Sequence, residues 1–308
     1  MTDRVRIGTR GSQLALRQAE EVAAALGRAW PRLTIEVVPI RTSGDRLATA
    51  HLAEVGGKGL FVQEIDEALR EGRVDLAVHS LKDLPAERPK ELVLTAFPRR
   101  EDPRDVLVAA TPTRVGSLPR AARVGTSSLR RSVQLLALRP DLMVTPIRGN
   151  VDTRLRKLRQ REYDALVVAA AGLRRLGILD ATATVLDPEE MLPAAGQGTL
   201  GVETREEDAT TRALADVLTD AETRAATLAE RAFLETLGGT CTTPLGAYAR
   251  RIGAGLRLDA FLATPDGTRV LRDGDVGDLE APEALGRDLA RRVLEAGGAD
   301  FIERGRGA

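Results

Sequence analysis

The sequence predicts an α/β protein with two domains built on mixed, mostly parallel sheets, and a small α+β domain at the C-terminal end. Three observations support this fold class. Short aliphatic runs alternate with amphipathic helical stretches, as is typical of parallel sheets covered by helices. A second alternating series begins near residue 99, after the charged and proline-containing stretch AFPRREDPRDVLV. Three strand patterns and a helix then close the chain, whose 308 residues suffice for two or three domains.

The first series supplies the predicted elements of domain 1. Strands are expected at VRI (5–7), LTIEVVPI (33–40) and DLAVHS (75–80), and helices at SQLALRQAEEVAAAL (12–26) and LFVQEIDEALREG (60–72). A further strand-like run, TLGVETR (199–205), follows the second series. We therefore assign residues 1–98 together with 193–217 to domain 1.

The second series and the C-terminal region supply domains 2 and 3. The second series contains DVLVAA, RVGTSSLRRSVQLLAL, MVTPIRGNVDTRLRKLRQ and DALVVAAAGLRRLG. A helical region is expected over 208–237, strands near 245–251, 256–263 and 268–273, and a last helix over 282–296. We assign residues 99–192 to domain 2 and 218–308 to domain 3.

Composition narrows the classes of function. The 45 basic residues balance 45 acidic ones, so no overall field attracts nucleic acid. The first residues carry charge where a signal peptide would be apolar, and no run is long enough to cross a bilayer. Two histidines, His51 and His79, and a single cysteine are too few for a metal site of these ligands. We expect a cytoplasmic monomer that binds neither nucleic acid, membrane nor metal.

Three strand-to-helix turns contain arginine: IGTRGSQLAL (7–16), VGTSSLRRSV (124–133) and PIRGNVDTRL (146–155). Ser12, Ser127 or Ser128, and Asn150 are suitable N-caps for the helices that follow. Arg130 and Arg131 would lie in a first helical turn, where a cation costs up to roughly 1 kcal/mol unless an anion compensates it. Backbone N–H groups and guanidinium forks suit carboxylates or phosphates. The turns therefore predict a polyanion site, while the alternative for each arginine alone is a solvated surface charge.

The stretch AVHSLKDLP (77–85) ends a strand directly in polar residues. Asp83 beside Lys82 is either a simple salt bridge or a carboxylate held ionised by cations, able to stabilise a developing cation or move a proton. His79 is interpreted as a core histidine hydrogen-bonded to the backbone, because with only His51 as the other histidine it has too few partners for a histidine-based metal site. Nearby, GGKGLF (56–61) lacks the pattern of a phosphate loop and predicts a mobile loop with Lys58 and Phe61 near its hinge. GQGTLG (196–201) does not open a helix, so it lacks the context of a dinucleotide fingerprint.

The only cysteine, Cys241, lies in LGGTCTTPLGAYA (237–249). It has no second thiol for an internal disulfide, and a free cysteine is often a small buried hydrophobe. Further motifs of the chain include TRGSQLALRQA, VGGKGLFVQEI, AVHSLKDLP, REDPRDVLV, GTSSLRR, RGNVDTRL, AAGQGTLG and GTCTTPLGAYA. From residue 5 to about 250, their order and spacing resemble those of the porphobilinogen deaminase family, also called hydroxymethylbilane synthases.

That resemblance implies a fold and an activity. Family members resemble two-domain periplasmic binding proteins with a third domain added. They are transferases of porphyrin and heme biosynthesis that join four porphobilinogen molecules head to tail, release ammonia at each addition, and form the linear tetrapyrrole hydroxymethylbilane. A dipyrromethane cofactor is attached to one cysteine through a thioether. Cys241 matches that attachment point, with Thr240 in place of the glycine that the family has before the cysteine.

The resemblance also implies site residues. Asp83 matches the catalytic residue, which faces pyrrole N–H groups and stabilises the cationic azafulvene left by loss of ammonia. The ladder of acetate and propionate groups on a growing pyrrole chain would need cationic and hydroxyl partners. Matching cofactor-binding positions are Cys241, Lys82, Ser128, Arg130, Arg131, Arg148 and Arg154, and matching substrate-binding positions are Arg10, Ser12, Arg148, Arg154 and Arg175.

Two other classes of protein remain as alternatives. A solute-binding protein for a carboxylated small molecule would share the fold and the arginines, but it leaves the third domain and the cysteine between glycines unexplained. A cysteine hydrolase pairing Cys241 with His79 would lack a local nucleophile motif.

Overall fold

A computed structural model gives the fold of the chain and describes residues 3–43, 62–238 and 243–306. The chain divides into two compact units. Unit 1 contains Met1–Glu101 and Gly198–Arg224, and unit 2 contains Asp102–Gln197 and Ala225–Ala308.

Thirteen strands and nine α-helices lie in the described ranges. The strands are β1 Arg4–Arg10, β2 Thr34–Ile40, β3 Leu76–Ser80, β4 Leu92–Ala96, β5 Asp105–Ala109, β6 Arg123–Gly125, β7 Met143–Thr145, β8 Ala165–Ala169, β9 Ala183–Val185, β10 Leu200–Arg205, β11 Leu245–Ile252, β12 Gly255–Ala263 and β13 Val270–Asp278. The helices are α1 Gln13–Ala29, α2 Gln63–Arg70, α3 Leu129–Leu138, α4 Val151–Arg159, α5 Ala170–Arg175, α6 Ala209–Asp216, α7 Ala221–Leu237, α8 Pro282–Val293 and α9 Ala299–Arg306.

Unit 1 is built on a five-stranded sheet of order β2-β1-β3-β10-β4. β1 pairs in parallel with β2 and β3, while β10 is antiparallel to both β3 and β4, so four strands share one direction. α1 packs one apolar cluster against the sheet through Ala19, Val22 and Leu26. α2 packs a second cluster through Ile65 and Leu69. The alternation of β3 divides its side chains between these two clusters.

Unit 2 begins with a second five-stranded sheet, of order β7-β6-β8-β5-β9. β6 pairs in parallel with β7 and β8, and β5 is antiparallel to β8 and β9, so again four strands share one direction. The buried aliphatic residues of β5 and β8 alternate between two clusters, one containing Leu107 and Val167 and the other Val106 and Val168. Both faces are therefore apolar, as a sheet covered on two sides requires.

The C-terminal part of unit 2 is an antiparallel meander, β11-β12-β13, packed against α7, α8 and α9. Phe233, Leu258, Leu289 and Phe301 are buried in its core. α7 and α8 approach closely at Gly286, where an added Cβ would lie 2.2 Å from the carbonyl oxygen of Ala229. Only glycine permits this contact between the helices.

The predicted fold class is confirmed: two mixed, mostly parallel sheets with helices, and a small α+β portion. The helical region expected over 208–237 consists of two helices, and Asp220 caps the second, α7, by accepting a hydrogen bond from the Thr223 N–H at 2.8 Å. β4 and β9 were not expected, and β13 extends to Asp278 beyond the expected 268–273. The helix expected over 282–296 ends at Val293 and is not the last, because α9 follows it; Gly297, with φ of 99°, lies in the turn before α9. The three domain boundaries stay a prediction.

Candidate functional site

A pocket in unit 1 lies where β1 and β3 end and α1 begins. Its lining combines apolar side chains with a cation, two hydroxyl groups, an amide, an imidazole and a carboxylate. The lining residues are Arg10, Ser12, Leu14, Ala15, Gln18, Val62, Val78, His79, Ser80, Asp83 and Leu84. Three predicted site residues, Arg10, Ser12 and Asp83, therefore meet in one pocket.

The turn from β1 to α1 positions Arg10 and Ser12. Ser12 is the N-cap of α1, as predicted, and its Oγ accepts a hydrogen bond from the Ala15 N–H at 3.3 Å. The hydroxyl of buried Thr9 donates to the carbonyl oxygen of Ala15 at 3.1 Å. These two bonds fasten the first turn of α1 to the end of β1, so the turn presents its side chains from a fixed backbone.

A short 3₁₀ turn, Leu81–Asp83, positions Asp83 and Lys82. Leu81 is buried, and its N–H donates to the Thr199 carbonyl at 3.1 Å, while the Leu84 N–H donates to the Leu81 carbonyl at 3.1 Å. Lys82 and Asp83 are both exposed. The turn is thus anchored through its apolar residue and directs its charged residues outward, with Asp83 in the wall of the pocket.

Gln18 and Ser80 are pocket residues that the sequence analysis missed. Gln18 Nε2 donates to Ser80 Oγ at 2.8 Å, and Ser80 Oγ lies 3.1 Å from Gln18 Oε1. Gln18 is only 4% exposed, because it lies on the buried face of α1 with Ala15, Ala19 and Val22. A polar residue on such an apolar stripe was the available signal, because a buried amide needs a hydrogen-bonding partner.

Beside the pocket, four charged or titratable side chains form a buried network. Arg88 donates through Nε and Nη2 to both carboxylate oxygens of Glu203, at 2.8 Å each, and through Nη2 to Asp66 Oδ1 at 2.6 Å. His79 Nε2 lies 3.2 Å from Glu203 Oε2. Burial acts to raise the pKa of Glu203, but His79 and Arg88 outweigh it and lower that pKa to about 2. For Asp66 burial dominates, and its pKa is raised.

Arg130 and Arg131 lie in the first turn of α3, as predicted, but they are not solvated. Their exposed fractions are 5% and 6%, and both bind the fully buried carboxylate of Asp105. Arg130 Nη1 donates to Asp105 Oδ2 at 2.8 Å, and Arg131 Nη2 donates to Oδ1 at 2.7 Å. Burial acts to raise the pKa of Asp105, yet the two guanidinium groups hold it well below its usual range. Asp105 therefore supplies, within the protein, one of the negative charges that we expected from a ligand.

Two buried glutamines complete this cluster. Gln197 Nε2 donates to Asp105 Oδ1 at 2.9 Å and to the Pro103 carbonyl at 2.7 Å. Gln134 Oε1 accepts a hydrogen bond from the Leu192 N–H at 2.9 Å and another from Arg272 at 2.9 Å. Gln134 thereby ties α3, which carries both arginines, to β13 of the C-terminal meander. The cations therefore have fixed positions.

The other predicted site residues and N-caps of unit 2 differ in burial and in hydrogen bonding. Ser128 is the N-cap of α3 but makes no side-chain cap hydrogen bond, whereas Asn150 caps α4 by accepting from the Thr153 N–H at 3.0 Å. Arg148, just before that cap, is exposed. Arg154 is half-buried and donates to the Gly149 carbonyl at 2.8 Å, and Arg175 near the end of α5 is half-buried.

Three predicted positions, Lys58, Phe61 and Cys241, lie outside the described residues. Within the described ranges, no group of three or more histidine, cysteine or acidic side chains could hold a metal ion. No helix there is both long and apolar enough to span a membrane.

Two models of known protein families match this chain. Residues 5–213 match "Porphobilinogen deaminase, dipyromethane cofactor binding domain", and residues 225–295 match "Porphobilinogen deaminase, C-terminal domain". Among solved structures, the methionine-binding protein MetQ is similar with a TM-score of 0.45 and 14% identity over 70% of this chain and 89% of that one. The sulphonate-binding protein SsuA from Escherichia coli has a TM-score of 0.40 and 17% identity over 99% and 91%.

Curated relatives are similar over nearly their whole length. The porphobilinogen deaminase of Syntrophus aciditrophicus is 49% identical over 97% of this chain and 98% of its own. That of Roseiflexus castenholzii is 51% identical over 98% and 99%, and that of Acidithiobacillus ferrooxidans is 48% identical over both complete chains. Together with the family matches, which cover most of the sequence, these identities show that the chain belongs to the porphobilinogen deaminase family.

Proposed function

We propose that the unit 1 pocket is where this transferase joins its substrates, with Asp83 as the catalytic carboxylate. The chain condenses four porphobilinogen molecules head to tail into hydroxymethylbilane and releases ammonia at each addition, as its family does. The observation that carries the proposal is the placement of Asp83, Arg10 and Ser12 in the wall of one pocket.

The donor chemistry of the pocket fits a chain of pyrroles. Arg10 and Ser12 can donate hydrogen bonds to acetate and propionate oxygens, and Asp83 can accept from pyrrole N–H groups. Dipyrromethane supplies the primer that the first substrate joins, and Cys241, the one thiol of the sequence, is its attachment point. The loop expected around Lys58 and Phe61 stays a prediction from the sequence.

Asp83 acts through electrostatics. When porphobilinogen loses ammonia, the azafulvene that forms is cationic, with its charge shared by the pyrrole nitrogen. A carboxylate held at that N–H lowers the energy of the cation, and the anchored 3₁₀ turn keeps the carboxylate in place before the charge develops. Asp83 lies in the wall of the pocket, where its carboxylate can face a ring bound there.

The arginines bind carboxylates. Arg130, Arg131 and Asp105 together carry one net positive charge in a buried position, which favours one further anionic group such as a propionate. The proposed cofactor ligands are Cys241, Lys82, Ser128, Arg130, Arg131, Arg148 and Arg154, and the proposed substrate ligands are Arg10, Ser12, Arg148, Arg154 and Arg175. Each is a proposal from the sequence motif and the side chain's chemistry.

The test of the catalytic role is the rate of ammonia release by an Asp83→Asn variant. The variant keeps the size of the side chain but loses its charge, so we expect the cofactor to be present and the rate to fall about a hundredfold. Glu87→Gln is the matched control, because Glu87 is an exposed carboxylate four residues away and should have a wild-type rate. A near-normal rate for Asp83→Asn would show that the assignment is wrong.

Several expectations stay predictions. They are the division into domains at 1–98 with 193–217, 99–192 and 218–308, the monomeric state, the absence of nucleic-acid binding and the cytoplasmic location. The alternative of a solute-binding protein has only a fold resemblance in its favour. It predicts no covalent cofactor and no ammonia release.

A further inference from the structure

We propose that Glu203 and Arg88 position His79 so that its imidazole presents a hydrogen-bond acceptor, Nδ1, to an N–H group of a ligand in the pocket. His79 is then a positioning residue that works beside Asp83. This inference rests on the proposed function of the pocket, and it concerns side chains to which that function assigns no role.

Strand pairing places the imidazole and the carboxylate on one face of the sheet. In the β3–β10 ladder His79 is opposite Gly201, and Glu203 is two residues further along β10. Residues related in this way are diagonal neighbours on the same face, within reach of long side chains. Gly201 has no side chain to separate them, and a Cβ added there would lie 3.0 Å from the side chains of Leu81 and Leu94. The backbone thus directs His79 and Glu203 toward each other beneath α2.

The carboxylate is fixed before any ligand binds. Glu203 has no exposed surface and receives two parallel hydrogen bonds from Arg88, the geometry in which guanidinium and carboxylate groups are held most firmly. Arg88 Nη2, which donates to Glu203, also donates to Asp66 Oδ1 on α2 at 2.6 Å, and this second bond prevents Arg88 from turning away. Glu203 Oε2 is consequently a stationary acceptor at 3.2 Å from His79 Nε2.

His79 Nε2 and Glu203 Oε2 lie within hydrogen-bonding distance, but the angle between them is poor. His79 is 5% exposed, and within the described part of the chain its buried Nε2 makes no hydrogen bond of good angle, despite the short distance to Glu203. Hydrogen bonds of this kind often tighten only when the ligand is in place. A small rotation of the ring would complete the bond to Glu203, and the ring also forms part of the pocket wall.

The tautomer follows from the carboxylate. A carboxylate at Nε2 favours the hydrogen on that nitrogen, and in neutral imidazole the other nitrogen is then an acceptor. The complementary ligand group is an N–H donor, either a pyrrole N–H or the aminomethyl group of porphobilinogen. The charged groups around the ring are Glu203, Arg88 and Asp66 on one side and Asp83 and Arg10 in the pocket. Two acceptors, His79 and Asp83, would then face the nitrogen atoms of the substrate.

The first test uses nitrogen NMR of the cofactor-loaded protein. The chain has only two histidines, so His51→Gln leaves His79 as the one imidazole in a long-range ¹H–¹⁵N spectrum. We expect the hydrogen on Nε2 and not on Nδ1. In the same protein carrying Asp83→Asn, whose turnover is slow, porphobilinogen should move the Nδ1 resonance. A hydrogen on Nδ1, or no movement with substrate, would overturn the proposal.

The second test separates positioning from simple packing. His79→Gln retains an amide N–H for Glu203 but lacks the second ring nitrogen. We expect its unfolding midpoint to remain near that of the wild type, while kcat for ammonia release falls about tenfold or more and KM changes less than about twofold. Full activity of this variant would overturn the inference. Failure of the proposed function itself would show differently, as a normal rate in Asp83→Asn.

Discussion

Asp105→Asn gives the sharpest test of how the buried arginines are held. In the wild type, one carboxylate receives hydrogen bonds from Arg130, from Arg131 and from Gln197, at distances of 2.7–3.1 Å. Asparagine has almost the same shape, but its amide nitrogen is a donor and would face one of the two guanidinium groups. The substitution therefore removes the counter-charge of two buried cations and places a donor against a donor.

The expected cost follows from burial. Arg130 and Arg131 are 5% and 6% exposed and Asp105 is not exposed at all, so solvent cannot replace the lost charge. Breaking a buried ion pair by removing one partner typically costs about 3–5 kcal/mol, and here two cations lose the same partner. We expect the free energy of unfolding to fall by at least about 4 kcal/mol.

The assay is urea unfolding at neutral pH followed by circular dichroism, with Asp164→Asn as the matched control. Asp164 precedes β8 and pairs with Arg123, but the two side chains are 41% and 44% exposed. Both variants replace aspartate by asparagine, but Asp105 is buried and Asp164 is exposed. The urea midpoint of the Asp164→Asn control should therefore be almost unchanged. If Asp105→Asn is no less stable than Asp164→Asn, the buried cluster does not depend on its carboxylate and the reasoning is refuted.

Two further predictions concern acid stability and ligand recognition. The pKa of Glu203 is lowered to about 2 in the folded protein, so ionisation of this carboxylate adds about 3 kcal/mol to the free energy of unfolding. This contribution is complete above the unfolded pKa near 4 and is lost as the pH falls toward 2. In unfolding measurements over that pH range, Glu203→Gln should lose less stability than the wild type. Arg148→Leu removes an exposed cation, so it should keep the wild-type unfolding midpoint but lower kcat/KM about tenfold, whereas the exposed Arg156→Leu should change neither.

Local patterns predicted most of the fold. The aliphatic runs of β1, β2, β3, β5 and β10 and the helix starts at Ser12 and Asn150 are visible in the sequence, because each depends on residues next to one another in the chain. The direction of β10 is different. It is antiparallel to both neighbours because the chain returns to the first sheet from the second, and no local pattern records that return.

The sequence identified candidate site residues, but not the partners that bind them inside the protein. AVHSLKDLP indicated Asp83 because the stretch ends an apolar strand in polar residues, and Asp83 lies in the pocket wall, while its catalytic role stays a prediction. The carboxylates that bind buried cations were missed, because Asp105 and Glu203 stand at ordinary positions in apolar strands and their partners are distant in sequence. The signal was a charged residue directly beside apolar strand residues, VLVA after Asp105 and LGV before Glu203, since a charged residue buried with them must be paired.

We expect this chain to carry a covalent dipyrromethane on Cys241. The most direct measurement is the intact mass of the purified protein beside that of Cys241→Ala, each before and after incubation with porphobilinogen. We expect an excess equal to one dipyrromethane in the wild type and the bare polypeptide mass in Cys241→Ala. Bare polypeptide mass for both proteins after incubation would contradict the account.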